Sequence, residues 1–213
     1  KPYQYVSIRT DITSRIQAAE VLRKMNRILM LLSACDDVLV RAESIMDMMQ
    51  EVCRLIVDVG GYRMAWVGYR VNDAEQSVQP VAHAGFEQGY LEAAGITWNA
   101  DHPRGKGPVA QAIRSGQPQV VQDVQGDPRF APWKSEALAR GFGSIVALPL
   151  TIDGETIGAV NIYASESQTF LEDEIQLLME LAGNLAYGVR GLRLQEEKIR
   201  ALEYLQASEK RLS

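Results

Sequence analysis

Apolar residues recur every seven positions through the C-terminal part of the chain, between Phe170 and Ser213. This spacing keeps one apolar face over many turns, so it predicts a single long amphipathic helix. At 1.5 Å per residue the helix would be about 65 Å long. A compact domain of this size does not cover that length, so we expect the end to project or to pair with another chain. The repeating positions are Leu171, Leu178, Leu185, Leu192 and Ile199, with Ile175, Ala182 and Val189 beside them.

Toward its end, the apolar stripe of this helix changes phase. The companion stripe becomes acidic at Glu196 and Glu203, while apolar residues move to Leu202 and Leu205. Such a shift is a stutter, at which a coiled coil is locally unwound. We therefore expect a helical linker with a soft point near residues 195–203.

Three- and four-residue spacing predicts two further helices near the N-terminus. The first is either one long helix or a helix broken near residues 33–37, where Asp36 falls at a seam position. The second runs from Ala42 to about Asp58, and Gly60-Gly61 ends it because glycine tolerates positive φ. The stripe of the first helix is formed by Leu22, Met25, Leu29, Leu32 and Leu39.

The pattern then changes to strands. Turn residues at Asn72-Asp73 and Asp153-Gly154 predict two antiparallel hairpins. The strands show little alternation of polar and apolar residues, so we expect both faces of the sheet to be covered. The predicted strands are Tyr62–Val71, Ser77–Ala84, Ser144–Thr151 and Thr156–Ala164.

Residues 85–143 form a long connection between the two hairpins. An insertion of this length in a compact domain is usually functional. Its pattern predicts short helices at Glu87–Ala94, Pro108–Ser115 and Lys134–Arg140, and an edge strand at Gln119–Gln122. Arg104–Pro108 lacks the spacing of a phosphate-binding loop. Gly107 and Pro108 are instead typical of the start of a helix. The N-terminus of that helix, beside Lys106, could still attract an anion.

The first residues predict a strand at Tyr3–Arg9, followed by a helix that either Thr10 or Asp11 would cap. A lone strand has nothing to pair with, so we interpret it as the last strand of a preceding domain.

Composition excludes several classes of protein. The 213 residues are 46% apolar and carry a net charge of −5, which argues against a nucleic-acid surface. Cys35 and Cys53 do not indicate a disulfide framework. We find no signal peptide and no apolar run of the roughly 20 residues that span a bilayer. The expectation is a cytoplasmic protein without membrane contact, metal or cofactor.

Several motifs carry a family resemblance in combination: Gly61–Tyr69, Gly107–Pro118, Asp127–Trp133, Gly141–Ser144, Ala147–Leu150 and Gly158–Tyr163, with Phe170 and Glu174. Together they resemble a GAF domain, from about residue 22 to residue 190. The resemblance implies an α+β fold in three layers. An antiparallel sheet of five or six strands would have the long N- and C-terminal helices on one face and the 85–143 segment on the other.

The flanks resemble the borders of PAS domains, at Tyr3–Thr13 and Ala207–Leu212. This implies a piece of a multidomain bacterial sensor, whose effector is usually a histidine kinase or a cyclic-di-GMP cyclase or phosphodiesterase. The expected division is residues 1–13 as the end of a PAS domain, 14–41 as a linker and dimerisation helix, 42–190 as the GAF domain, and 191–213 as a coiled-coil signalling linker.

The resemblance also implies a small-molecule cavity between the sheet and the 85–143 segment, where aromatic residues and a few polar groups gather. The alternative is that these aromatics only form the core under a long loop. For Arg129 the alternative is an ion pair with Asp123 or Asp127. The candidate lining residues are Trp66, Tyr90, Trp98, Phe130, Trp133 and Phe142, with His83, Asp123, Arg129 and Ser144 to orient a ligand.

Other activities of GAF relatives fit the sequence poorly. Asn161 is followed by Ile162 where the cyclic-nucleotide-binding relatives have lysine. Bilin-binding and methionine-sulfoxide-reductase relatives need a cysteine in the loop region, where neither Cys35 nor Cys53 lies. No catalytic triad or metal motif is indicated, and the acidic residues 172–174 suit a helix start.

We expect a parallel homodimer that passes a change in one domain to the next by a population shift. Three hypotheses remain: a small-molecule sensor, a ligand-free relay and dimerisation module, and a haem or redox sensor through His83. The expected dimer seam consists of Leu22, Met25, Leu29, Leu32, Leu178, Leu185, Leu192 and Ile199.

Overall fold

The computed structural model describes residues 13–212, which form six α-helices and one antiparallel sheet of five strands. The strand order is β2-β1-β5-β4-β3. The helices are α1 Thr13–Arg41, α2 Ile45–Asp58, α3 Tyr90–Ala94, α4 Pro108–Ser115, α5 Lys134–Ala139 and α6 Glu172–Leu212. The strands are β1 Met64–Arg70, β2 Val78–Gly85, β3 Gln119–Val121, β4 Ser144–Ile152 and β5 Glu155–Ala164.

This architecture confirms the α+β prediction, the hairpins and the elements expected in residues 85–143. The turn of the β4–β5 hairpin consists of Asp153 and Gly154, both at positive φ, as a two-residue hairpin turn requires. The predicted strand at Tyr3–Arg9 and its helix cap lie outside the described residues.

Two separate cores cover the faces of the sheet. On one face, α1, α2 and α6 pack on alternate strand residues such as Val67 and Val160, and we call this the helix-side core. On the other face, α3, α4, α5 and their connections pack on Trp66 and Tyr163, and we call this the loop-side core. The sheet is therefore the middle of three layers, with the helix-side core on one face and the loop-side core on the other.

Helix α1 is continuous through residues 33–37, so the alternative of a break there is wrong. Ile28, Leu31 and Cys35 point into the helix-side core, and this burial holds the helix across Asp36. The next helix, α2, begins at Ile45 and not at Ala42 as expected, because the Ser44 hydroxyl caps it by accepting from the backbone N–H of Asp47. The second half of α1 is thus part of the domain core and not only a linker.

Helices α1 and α6 run parallel where they pack. The Asn184 amide donates to Asp36, 3.0 Å away, and one turn later a Cβ on Gly188 would meet Leu39. Beyond this contact every side chain of residues 193–207 is exposed, so α6 projects from the domain as predicted. Within residues 13–212, no helix is long and apolar enough to cross a membrane.

Part of the expected dimer seam is wrong. Leu178 and Leu185 are at most 1% exposed because they pack on the sheet of their own chain, and Leu32 is buried beside them. A heptad stripe that covers a domain core has the same spacing as one that pairs with a partner. Leu22, Leu29 and Ile199 are exposed, whereas Met25 and Leu192 are half-buried.

Candidate functional site

The loop-side core is built from aromatic rings in direct contact. Tyr90 contacts both Phe142 and Tyr163 edge-on, with ring centroids 5.4 and 5.6 Å away, and these two rings also contact each other at 4.7 Å. The Trp66 indole N–H donates to the Tyr163 hydroxyl at 3.2 Å, and that of Trp133 to a backbone carbonyl at 2.7 Å. The N–H groups of both buried indoles are therefore satisfied within the protein.

Only a small cavity remains among these rings, between Tyr90, Phe130, Trp133 and Tyr163. Its volume is about 10 Å³, which is room for about one water molecule. Of the predicted lining residues, Trp66, Tyr90, Phe130, Trp133 and Phe142 are all buried here. These five lie in one buried cluster, and in this conformation they pack as a closed core, which is the alternative to a ligand cavity.

A larger groove opens next to this core. Its volume is about 580 Å³, within the range of small-molecule sites. Trp66 lies buried beneath it, β2 and the residues around Thr97 form one wall, and Leu91 and Arg104 contribute from the connecting segment. Ile96 borders both the groove and the small inner cavity, so it separates the two.

Trp98 lies at the edge of this region and does not line the groove. It is half-buried, its indole N–H donates to the Val71 carbonyl at 2.9 Å, and the Arg70 guanidinium lies over its ring. Trp98 therefore fastens the segment that follows α3 to the end of β1.

The four polar groups expected to orient a ligand do not converge on either cavity. Asp123 is exposed and caps a turn, and His83 is exposed on the edge strand β2. The Ser144 hydroxyl donates to the Glu166 carbonyl at 2.6 Å, which ties the start of β4 to the loop before α6. Asp123 and Ser144 are already bonded to backbone groups, and His83 lines neither cavity, so their positions do not support the expected role as ligand-orienting groups.

Arg129 forms an ion pair with Asp127, which was the alternative to ligand binding. Its guanidinium donates to Asp127 at 2.6 Å and to the Val120 carbonyl at 2.7 Å, and so locks the turn after β3. The hydrogen bonds from Arg129 lower the pKa of the Asp127 carboxyl.

A buried polar cluster that the sequence interpretation missed links three elements. The Tyr62 hydroxyl, just before β1, donates to Glu174 of α6 at 2.6 Å, and Glu174 is fully buried. The Arg27 guanidinium of α1 lies over the Tyr62 ring, 5.6 Å from its centroid. Burial and the neighbouring Glu174 raise the pKa of the Tyr62 hydroxyl, which keeps it a donor.

The pattern did contain a sign of this cluster. Glu174 lies four positions before Leu178, which is buried in the helix-side core, so the spacing places a carboxyl group on the face that packs inward. The helix dipole explains Glu172 and Asp173 at the exposed start of α6, but it does not explain a buried Glu174.

The two cysteines lie in the other core, far from the groove in the fold. Cys35 is on α1 and Cys53 on α2, and burial raises the pKa of both thiols to about 12. Such thiols are protonated and shielded, which is unlike a reactive cysteine. Among the described residues, no group of histidine, cysteine, aspartate and glutamate side chains is placed to hold a metal ion.

The fold agrees with solved structures of low sequence identity. A GAF domain of a phosphoenolpyruvate-protein phosphotransferase from Coxiella burnetii is 17% identical, with a TM-score of 0.65 over 82% of this chain and 98% of that one. A domain of a putative two-component sensor histidine kinase from Sinorhizobium meliloti is 17% identical, with a TM-score of 0.57 over 73% and 96%.

An enzyme shares the same fold. Free methionine-R-sulfoxide reductase from Neisseria meningitidis is 18% identical, with a TM-score of 0.60 over 78% of this chain and 89% of that one. At these identities the likeness concerns the fold alone. No curated protein matches the chain. The sequence model of the GAF domain matches residues 42–190, and the chain belongs to the GAF domain family.

Proposed function

We propose that this chain is a sensor and relay module that binds a small molecule in the groove beside Trp66. The volume of that groove, about 580 Å³, is the observation that carries the proposal. Trp66 lies buried beneath the groove, and the accessible lining is more apolar than polar by area, so a bound molecule would lose part of its contact with water.

The inner cavity offers a way to couple ligand binding in the groove to the conformation of the loop-side core. Ile96 is half-buried and borders both spaces, and it belongs to a segment without regular helix or strand. A ligand that displaces Ile96 inward would compete with the packing of Tyr90 and Trp133. Binding would then favour one of two packings of the loop-side core.

The arrangement of the long helices supports the relay part of the proposal. Arg27, Tyr62 and Glu174 connect α1 to the start of α6 through the residue that leads into β1. Because α1 and α6 run parallel, a shift of the sheet relative to this cluster would alter how the projecting end of α6 leaves the domain.

Native mass spectrometry of the purified chain tests ligand binding. We expect a small molecule of constant mass to remain on the wild type and to be lost from Leu91→Trp, which fills the groove. Leu138→Trp, on the exposed side of α5, is the control and should retain it. No retained mass, and no binding from a metabolite library at millimolar concentration, would refute the sensor.

A ligand-free relay is the second candidate. The close packing of the inner aromatic residues, with both buried indole N–H groups bonded, favours it. In that case Leu91→Trp would leave signalling by a full-length parent protein intact, whereas disruption of the Tyr62–Glu174 bond would change it.

Further assignments rest on resemblance and exposure. We propose PAS and effector domains on either side, and a homodimer through α1 and α6. The exposed apolar residues Leu22, Leu29, Ile199, Leu202 and Leu205 support such a contact. Sedimentation equilibrium of the wild type and of Leu22→Glu/Leu29→Glu tests it, because a dimer should become a monomer.

The haem or redox alternative has little support from the geometry. His83 is exposed on an edge strand and lines neither cavity, so it offers one ligand without an enclosed site. Absorbance near the Soret region that disappears in His83→Ala would revive this alternative.

A further inference from the structure

One arginine stands apart from the other arginines between residues 60 and 143. Five of the six place their guanidinium N–H groups on carbonyl or carboxylate oxygens of the protein. Within the described residues, the Arg104 guanidinium donates to none. The five bonded residues are Arg63, Arg70, Arg114, Arg129 and Arg140.

Arg104 is also the arginine that lines the groove. Its side chain is half-buried, so part of its hydration is lost without replacement by a protein acceptor. Guanidinium groups in such positions usually bond to carboxylate or carbonyl oxygens. A ligand oxygen would satisfy this one.

The backbone holds Arg104 in place. Its N–H donates to Nδ1 of His102 at 3.1 Å, which caps the short 3-10 turn Pro103–Gly105. The guanidinium lies against Gly95, where an added Cβ would be 2.3 Å from Nη1. Gly95 has φ of +48°, so a side chain there would be both strained and in the way. The cation is thus positioned at the groove before any ligand arrives.

By area, the rest of the groove is more apolar than polar. Its apolar side chains offer a surface for a small hydrocarbon or aromatic body: Trp66, Val78, Pro80, Leu91 and Ile96. Ser77, Thr97, Asn99 and His102 also line it, and the Thr97 hydroxyl already donates to backbone carbonyls. Glu75 is the one carboxylate that borders this groove, and it is exposed, so water screens its repulsion. A single guanidinium beside an apolar surface matches one planar anionic group more closely than a doubly charged phosphate.

We infer that the ligand is a small organic acid whose carboxylate is bound by Arg104 and whose apolar part lies on Trp66 and Ile96. This inference rests on the proposed sensor function, since it names the ligand class of the same groove. The recognition is a charge-assisted and often bidentate hydrogen bond, which gives it direction as well as attraction.

Paired probes test the inference. We would titrate the ¹⁵N-labelled chain with 3-phenylpropionate and hexanoate, and separately with their neutral amides, following the three indole N–H signals by NMR. The Trp66 signal is expected to shift with the acids, at a Kd about tenfold or more below that of the amides. Inorganic phosphate should bind more weakly than either acid.

Substitutions test whether Arg104 causes the preference for acids over amides. Arg104→Gln should weaken acid binding about tenfold or more and leave amide binding unchanged, while Arg190→Gln, far from the groove, should change neither. Glu75→Gln should bind the acids equally well or more tightly. Equal affinity for acid and amide, loss of acid binding in Glu75→Gln, or unchanged acid binding in Arg104→Gln would each overturn the inference.

The outcome separates the inference from the proposed function. If neutral molecules bind the groove and are lost in Leu91→Trp, the sensor stands and the carboxylate assignment fails. If neither acids nor amides shift Trp66 and no retained mass is found, both fail.

Discussion

Removing the Tyr62 hydroxyl tests whether the buried cluster holds α6 to the sheet. Tyr62→Phe deletes the donor that lies 2.6 Å from Oε1 of Glu174. Within the described residues, the other carboxyl oxygen of Glu174 already has no partner, so the variant leaves the whole buried carboxyl group without a hydrogen bond. The phenyl ring keeps its stacking on Phe170, 5.8 Å away, so packing changes little.

The expected magnitude follows from burial. Tyr62 is 4% exposed and Glu174 0%, so water cannot replace the lost bond. Leaving a buried acceptor without its donor costs about 1–3 kcal/mol. For a domain of this length, that loss lowers Tm by about 2–12 °C. Tyr204→Phe, at a site 76% exposed, is the control and should stay within about 0.5 kcal/mol of the wild type.

Urea unfolding followed by far-UV circular dichroism, at one fixed protein concentration, measures the effect. Glu174→Gln retains an acceptor oxygen, and a double-mutant cycle with Tyr62→Phe isolates the pairwise energy. A Tyr62→Phe variant as stable as the wild type, or two substitutions whose effects simply add, would refute the reasoning.

Three further predictions concern packing, pH and thiol chemistry. Gly107→Ala places a Cβ 2.4 Å from the Trp133 ring and should cost about 1–3 kcal/mol, whereas Gly183→Ala, with open space on α6, should stabilise by about 1 kcal/mol in the same urea assay. Because Arg129 lowers the pKa of Asp127, this carboxylate stabilises the fold above its unfolded pKa near 3.8 and loses that contribution as the pH falls through its lowered folded pKa. Asp127→Asn should therefore be about 1 kcal/mol less stable at pH 7 and equal to the wild type at the acid end, in Tm measured against pH; a constant difference would contradict this. Both cysteines should react with Ellman's reagent only after unfolding, and rapid native reaction would contradict their burial.

Much of the architecture could be predicted because its causes are local. The Asp153-Gly154 pair supplies two positive φ angles, so it predicts a hairpin without knowledge of anything else in the chain. The aromatic residues of the 85–143 segment could be grouped because a long, ordered connection must bury its large rings against the sheet. Four aromatic residues of this segment, Tyr90, Phe130, Trp133 and Phe142, do pack together in the core, against Trp66 of β1.

The polar part of the site could not be predicted in the same way. Asp123 and Arg129 resemble ligand-binding residues by type, but each forms short-range bonds within its own turn. Arg104 lies in a glycine-rich stretch where the sequence suggested at most a weak anion site beside Lys106, and its proposed role depends on where Gly95 and β2 place the groove wall. Charge alone does not distinguish an arginine with an internal acceptor from one without.

The sequence by itself determined the periods, turns and helix ends, because each depends on neighbours within a few positions. Only the tertiary structure decided which part of the chain each apolar face packs against. Leu178 and Leu185 keep a heptad spacing that suits a second chain, yet the sheet covers them. Tyr62 and Glu174 are 112 positions apart, and no local pattern specifies that contact. Periodicity shows only that an element has an apolar face that must be covered. Which residues cover it depends on how the rest of the chain folds.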